Sequence, residues 1–309
     1  MARLATNFGG IVPPLSTPMT EHFEIDTKSL EKLIEFQLTA GVHGLFILGS
    51  TSEAAFLTDK QRALVLDTAV RTVAGQVPVL AGVIDMTTAR VIEHARTAEQ
   101  AGVDGLVVTA PFYTRIGQAE ILEHFHLIHN AVSLPLIAYD IPVAVHSKIE
   151  RTTLLQMVRD TIIKGVKDSS GDEANFRGIV LAKESYPDFF VFTGSELLVD
   201  TALMSGANGA VPGLGNVDPE GYVRLYRAAQ IGDWQAARQE QERLYRLFEI
   251  VTVGLGRMGI GSSAMGAFKT ALQLRGVIAS NVVGRPQIRL NNEEVAQVRQ
   301  ALIKAELLS

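Results

Sequence analysis

AGVHGLFILGS (residues 40–50) carries the pattern that decides the fold: a G-x-x-G step, an unbroken apolar run, then a small polar turn. AGVDGLVVTAP (101–111) and SGANGAVPGLG (205–215) repeat it. The first glycine of each suits a helix C-cap, and the second starts the next strand close against that helix. VPVLAG (77–82) and LPLIAY (134–139) form a second repeated type, with proline at the strand entrance where no ladder donor is yet required.

Working outward, further runs join these. The candidate strands are 10–19, 44–49, 78–83, 105–111, 134–142, 162–167, 189–194 and 209–214. They are apolar throughout instead of alternating, as parallel strands buried on both faces are. Stretches with helical spacing, such as 27–40 and 88–101, lie between them. Eight such units predict an α/β fold, a (β/α)₈ TIM barrel; an open doubly wound sheet is the alternative, because strand count does not establish closure. Beyond the eighth strand, 219–233, 234–253, 263–277 and 292–307 read as helices without intervening strands. The expected organisation is a barrel catalytic domain over 1–230 and a C-terminal helical region over 231–309, which shapes one side of the site or contributes to oligomer contacts.

Composition excludes several classes. Of 309 residues, 47% are hydrophobic and 20% charged, which describes a buried core rather than a disordered chain. There is no cysteine, so disulfides, thiolate metal sites and thiol nucleophiles are ruled out. A net charge of -5 gives no basic footprint for nucleic acid. No apolar run is long enough to span a bilayer, and MARLATNFGG lacks a signal-peptide core, so a cytoplasmic location is expected.

In a barrel the chemistry gathers at the C-terminal strand ends. Those ends supply Ser16 and Thr17, then Ser50-Thr51-Ser52-Glu53, then Phe112 and Tyr113. Tyr139 and Asp140, Lys167 and Asp168, and Ser195 and Glu196 follow on strands five to seven. Lys167 ends the apolar run IIKGVK (162–167). Burial disfavours an ammonium, so such a lysine can be a neutral amine that attacks a ketone to make a Schiff base. The bland alternative is a strand-end lysine that snorkels to water or pairs with Asp168. Ser50 with Glu53 fits the S-x-x-E capping box and so a helix start. In the functional reading, the free amides and the Ser50 and Thr51 hydroxyls bind a small carboxylate. Tyr139 is either a packed phenol or, beside a neutral amine, a proton carrier.

Two motifs are decoys. GLGRMG (254–259) fits G-x-G-x-x-G after the strand-like EIVTV (249–253), but no acidic residue stands about twenty positions on. In HFHLIH (124–129), His124 and His126 fall on different sides of a helix, which argues against a shared metal.

With GSTSE (49–53), AYDIP (138–142) and GVKDSSGD (165–172) in order on strands two, five and six, the chain resembles the N-acetylneuraminate lyase / dihydrodipicolinate synthase superfamily. GGIVPPLSTPM (9–19), APFY (110–113), TGSE (193–196) and GANGAVPGLGNVDPE (206–220) extend the likeness over almost the whole length. The resemblance implies class I aldolase chemistry, in which Lys167 forms an imine with pyruvate or another 2-oxo acid and no separate cofactor or metal is used. It implies Tyr139 as general acid/base, with Ser50 and Tyr113 extending its proton relay, Tyr113 coming from a neighbouring subunit. Ser50 and Thr51 would hold the pyruvate carboxylate, with the Val211 backbone beside it. A homotetramer built as a dimer of dimers is also implied.

The departures carry information. Dihydrodipicolinate synthases read Y-N-x-P-x-R after the catalytic tyrosine, the arginine gripping the carboxylate of aspartate semialdehyde. Here YDIPVAVH (139–146) places Ala144 at that arginine and Asp140 at that asparagine, and Ser52 replaces a glycine of the strand-two turn. Without the bidentate donor a substrate carboxylate is poorly paired. KDSSGD (167–172) is closer to the 2-keto-3-deoxy sugar acid aldolases. The reading is therefore a pyruvate-dependent aldolase taking a 2-oxo acid and an aldehyde. A dehydratase, an N-acetylneuraminate lyase and a 4-hydroxy-tetrahydrodipicolinate synthase using the same imine are rivals; from other classes, so are a dinucleotide oxidoreductase and a non-catalytic binding protein.

Overall fold

A computed structural model describes Leu4 and residues 8–308. The eight apolar runs become β1 (Gly10–Ile11), β2 (Leu45–Ile47), β3 (Val79–Gly82), β4 (Gly105–Thr109), β5 (Leu136–Asp140), β6 (Gly165–Asp168), β7 (Phe190–Thr193) and β8 (Gly209–Ala210). All seven pairings are parallel, in the order β1-β8-β7-β6-β5-β4-β3-β2. Every strand residue is buried, as a sheet covered on both faces requires.

The ladder does not run continuously from β1 to β2. Between these end strands stand one parallel bridge, Pro14 with Phe46, and three backbone hydrogen bonds. The His43 amide donates to the Ile11 carbonyl (2.8 Å), the Phe46 amide to Pro13 (3.0 Å) and the Leu15 amide to Phe46 (2.8 Å). Pro13 and Pro14 have no N–H to donate, so the expected strand over 10–19 shrinks to two residues. Pro212 likewise ends β8 early, and a 3₁₀ turn over Gly213–Asn216 follows.

The helices between and after the strands are α1 (Thr27–Ala40), α2 (Asp59–Val73), α3 (Thr88–Ala101), α4 (Gln118–Ala131), α5 (Pro142–Val145) and α6 (Arg151–Arg159). They continue with α7 (Glu173–Leu181), α8 (Val199–Met204), α9 (Pro219–Gln230), α10 (Trp234–Phe248), α11 (Ile260–Leu274) and α12 (Asn292–Lys304). Gly41 (φ 80°) and Gly102 (φ 89°) cap α1 and α3 in the left-handed region that glycine alone adopts freely, as the repeat predicts. No helix among the described residues is long and apolar enough to cross a membrane.

Two local expectations fail. EIVTV is a 3₁₀ turn over Glu249–Thr252 extending α10, since no parallel neighbour is present to recruit its β-branched residues. GLGRMG thus follows no strand, and the dinucleotide reading loses its strand–loop–helix frame. Nor does Ser50 form a capping box with Glu53. Thr58 and Gln61 make that box at the start of α2, and Glu53 is drawn to a distant partner described below.

Candidate active site

Lys167 and Tyr139 lie side by side in the β5–β6 register. The Lys167 Nζ stands 4.0 Å from the centre of the Tyr139 ring and 5.3 Å from that of Phe46 on β2. Phe46 meets Tyr139 edge to face at 6.3 Å. Side chains from β2, β5 and β6 therefore converge inside the curved sheet. Lys167 is 6% exposed and Tyr139 3%, so the lysine does not snorkel. It does not pair with Asp168 either: successive strand residues face opposite ways. The Asp168 carboxylate accepts instead from the Ser170 amide at 2.7 Å. Gly194, after β7, makes room for the amine. A Cβ there would meet Ser169 Oγ at 1.9 Å and Lys167 Cε at 3.0 Å.

The turn after β2 leaves the Ser50, Thr51 and Ser52 amides without a hydrogen-bond partner among the described residues. Successive free amides in a turn are the elements from which an anion-binding nest is built. Ser50 is exposed and Thr51 half-buried. Ser52 acts as a staple: its hydroxyl donates to the Leu15 carbonyl (2.6 Å) and accepts from the Gly49 amide (3.2 Å). The Thr17 hydroxyl donates to the Ser52 carbonyl at 2.7 Å, fixing the turn to the chain after β1. Buried Asn216, which the sequence did not single out, joins the same region by accepting from the Ser16 amide and donating to the Pro14 carbonyl, each at 2.8 Å.

Val211 is buried just beyond β8, and its amide is engaged by the Thr193 carbonyl at 2.9 Å, which leaves only its carbonyl to border the site. Tyr113 is not brought into the group. It is 90% exposed after β4, with φ 79°, a left-handed conformation that costs an aromatic residue about 1–3 kcal/mol.

Asp140 faces away from the interior. Its carboxylate pairs with Lys148 and accepts from the Ile149 amide, pinning the segment after α5. Burial pushes its carboxyl above the ordinary range, against the opposing pull of Lys148. Glu196, after β7, accepts from the Leu214 amide. Burial raises its carboxyl to about 7, although the Leu214 and Gly213 amides and nearby Lys167 favour the ionised form. The unfolded chain releases this proton near 4.5 and the folded chain only near 7, so this group's contribution to stability falls as pH rises between those values. Glu196→Gln should therefore be neutral at pH 4 and stabilising by about 1–3 kcal/mol above pH 7 in denaturant titrations. An effect of equal size at both pH values would contradict the assignment.

His124 is buried against the Thr88 hydroxyl (2.9 Å), and His126 is exposed, so the histidine run gathers no metal set; among the described residues no such cluster occurs.

A parallel eight-stranded α/β chain with a buried lysine beside a tyrosine at adjoining strand ends has the layout of an amine-nucleophile enzyme. Comparison with known proteins makes this specific. The Dihydrodipicolinate synthetase family matches residues 7–305, and the chain belongs to that family. It is a lyase of the type that uses a lysine Schiff base with pyruvate. A 4-hydroxy-tetrahydrodipicolinate synthase of Phenylobacterium zucineum is 33% identical over 78% of this chain and 81% of its own. An uncharacterized DapA-like lyase of Halobacterium salinarum is 33% identical over 86% of this chain and 84% of its own. YagE, a prophage protein of the dihydrodipicolinic acid synthase family from E. coli K12 solved in complex with pyruvate, superposes with a TM-score of 0.91 at 28% identity, covering 97% of this chain and 99% of its own.

Proposed function

We propose that the chain is a pyruvate-dependent aldolase acting on a 2-keto-3-deoxy sugar acid, with Lys167 as the imine-forming residue. The observation that carries this is the buried Lys167 amine 4.0 Å from the Tyr139 ring and 5.3 Å from that of Phe46, on the strand that leads into the turn with three free amides. The Ser50–Thr51 turn receives the substrate carboxylate, with the Val211 carbonyl alongside. The Lys167 amine adds to C2 of the 2-oxo acid, and loss of water gives the iminium. Tyr139 takes the proton of the C4 hydroxyl as the C3–C4 bond breaks, which releases an aldehyde and leaves an enamine. Protonation at C3 and hydrolysis then release pyruvate and restore the amine. In the synthetic direction the enamine attacks the aldehyde and Tyr139 returns the proton. Ser50 and Tyr113 carry protons to and from Tyr139. The exposed, strained Tyr113 is supplied by a neighbouring copy, within a homotetramer built as a dimer of dimers.

The same proposal covers the architecture: β1 and β2 close the sheet into a (β/α)₈ barrel over 1–230, and 231–309 form a C-terminal helical region.

The sugar acid follows from what surrounds the second half of the reaction. Ala144 is exposed and presents no cation, and Lys148, the lysine of 141–149, is already held by Asp140. Glu196 and the hydroxyls of Ser169 and Ser195 suit the hydroxyls of a neutral aldehyde. The naming of relatives as 4-hydroxy-tetrahydrodipicolinate synthases supports a second reading, condensation with aspartate semialdehyde.

Borohydride reduction with pyruvate, followed by peptide mass mapping, tests the imine. The adduct should fall on Lys167. Mapping to Lys164, exposed at the other end of β6, or to Lys183, which donates to the Gly206 carbonyl at 2.7 Å, would sink the mechanism. A panel of 2-oxo acids then separates the substrates. Pyruvate release marks aldol cleavage, substrate loss without pyruvate marks dehydration, and efficient condensation with aspartate semialdehyde would favour the second reading.

A further inference from the structure

Lys269 is a lone cation in the apolar stretch SAMGAFKTALQL (263–274) of α11, and it is fully buried. It forms an ion pair with Glu53, whose side chain is also 0% exposed. Glu53 belongs to the GSTSE turn after β2, so the pair joins that turn to the C-terminal helices. Two more hydrogen bonds complete a circuit. Lys269 Nζ donates to the Val282 carbonyl at 2.8 Å, and the Gly284 amide donates to Glu53 Oε1 at 2.6 Å. Helix α11, the segment 282–284 and the turn are thereby fastened to one another with no water-exposed link.

The turn itself needs external support. Leu48 (φ 56°) and Glu53 (φ 58°) bracket it, and both are non-glycine residues in the left-handed region. Such conformations persist only where surrounding contacts over-determine them. Ser52 fastens the turn from the β1 side, and Glu53 is its anchor on the other. Burying two charges is a poor route to stability alone, because desolvation offsets most of their attraction. Such a pair does fix the geometry of whatever it connects, and here it connects to the three free amides.

We infer that Lys269 is a positioning residue for the 2-oxo acid carboxylate: through Glu53 it holds the Ser50–Thr51–Ser52 amides in the orientation that receives the anion. The inference rests on the assignment of that turn as the carboxylate site. Lys269 itself touches no substrate. Its loss should weaken capture of the 2-oxo acid while leaving the imine chemistry of the captured molecule nearly intact.

Two variants test this by pyruvate titration of borohydride trapping. Lys269→Met leaves Glu53 buried without its partner. Lys269→Met/Glu53→Gln removes both charges and guards against loss of folding in the single variant. Expected is a rise of about tenfold in the half-saturating pyruvate concentration in whichever variants fold, the double variant included, even where its thermal stability matches wild type. The yield of trapped adduct at saturating pyruvate should stay within about threefold of wild type. Wild-type half-saturation in the folded double variant overturns the inference, because the pair is then structural only. Absence of trapping in the unsubstituted protein would be a different failure, that of the imine assignment itself.

Discussion

Lys167→Ala should abolish borohydride-dependent capture of pyruvate and lower turnover by about 10⁴-fold or more. The reasoning is geometric. Lys167 is the lysine on the inward face of β6, with its amine against Tyr139 and Phe46 and its stem against Gly194. Removing the amine removes the electron sink that makes C3–C4 cleavage feasible, and no other group of the Phe46–Tyr139–Lys167 cluster can form an imine. Alanine leaves a cavity where the lysine stem lay, so circular dichroism and a thermal melt should accompany the assay. A folded Lys167→Ala protein that still traps pyruvate would refute the assignment.

Tyr139→Phe separates imine formation from the proton transfer that follows. Phenylalanine keeps the ring on which the Lys167 amine rests and the edge-to-face contact with Phe46, so packing is retained. Only the hydroxyl is lost. Trapping should remain detectable, while steady-state pyruvate release falls about 10²–10⁴-fold, the range associated with a positioned acid/base group. Release at the wild-type rate would leave Tyr139 as packing alone.

Much of the architecture can be read from local patterns because the forces that set it are local. The helices predicted over 27–40 and 88–101 are α1 and α3 to the residue, since their apolar spacing and the capping glycines Gly41 and Gly102 act within a few positions. The eight strand positions follow from apolar runs that only burial on both faces explains. The lysine and tyrosine were legible as polar groups at the ends of such runs. Strand lengths were less so, because Pro13, Pro14 and Pro212 cut short runs that are apolar enough to continue.

What the sequence hid depends on contacts between remote segments. Ser50 and Glu53 have capping-box spacing, yet Glu53 turns to Lys269, a partner on the other side of the chain's length. A lone lysine inside SAMGAFKTALQL was the available signal, since a cation on an apolar helical stretch needs a buried partner. Asp140 is similar. Its place at the family's asparagine looks like a change beside Tyr139, but the carboxylate faces outward to Lys148 and serves the segment after α5.

Gly194 gives the site an uneven capacity for change. A Cβ there would meet the Ser169 hydroxyl and crowd the lysine stem, so glycine is the occupant that leaves both where they stand. Val143, 80% exposed, and its exposed neighbour Ala144, in α5 just after β5, have few packing obligations. On the proposed reading, descendants of this chain can explore new aldehydes by substituting α5, at little cost in stability, while the pyruvate half of the reaction is inherited unchanged.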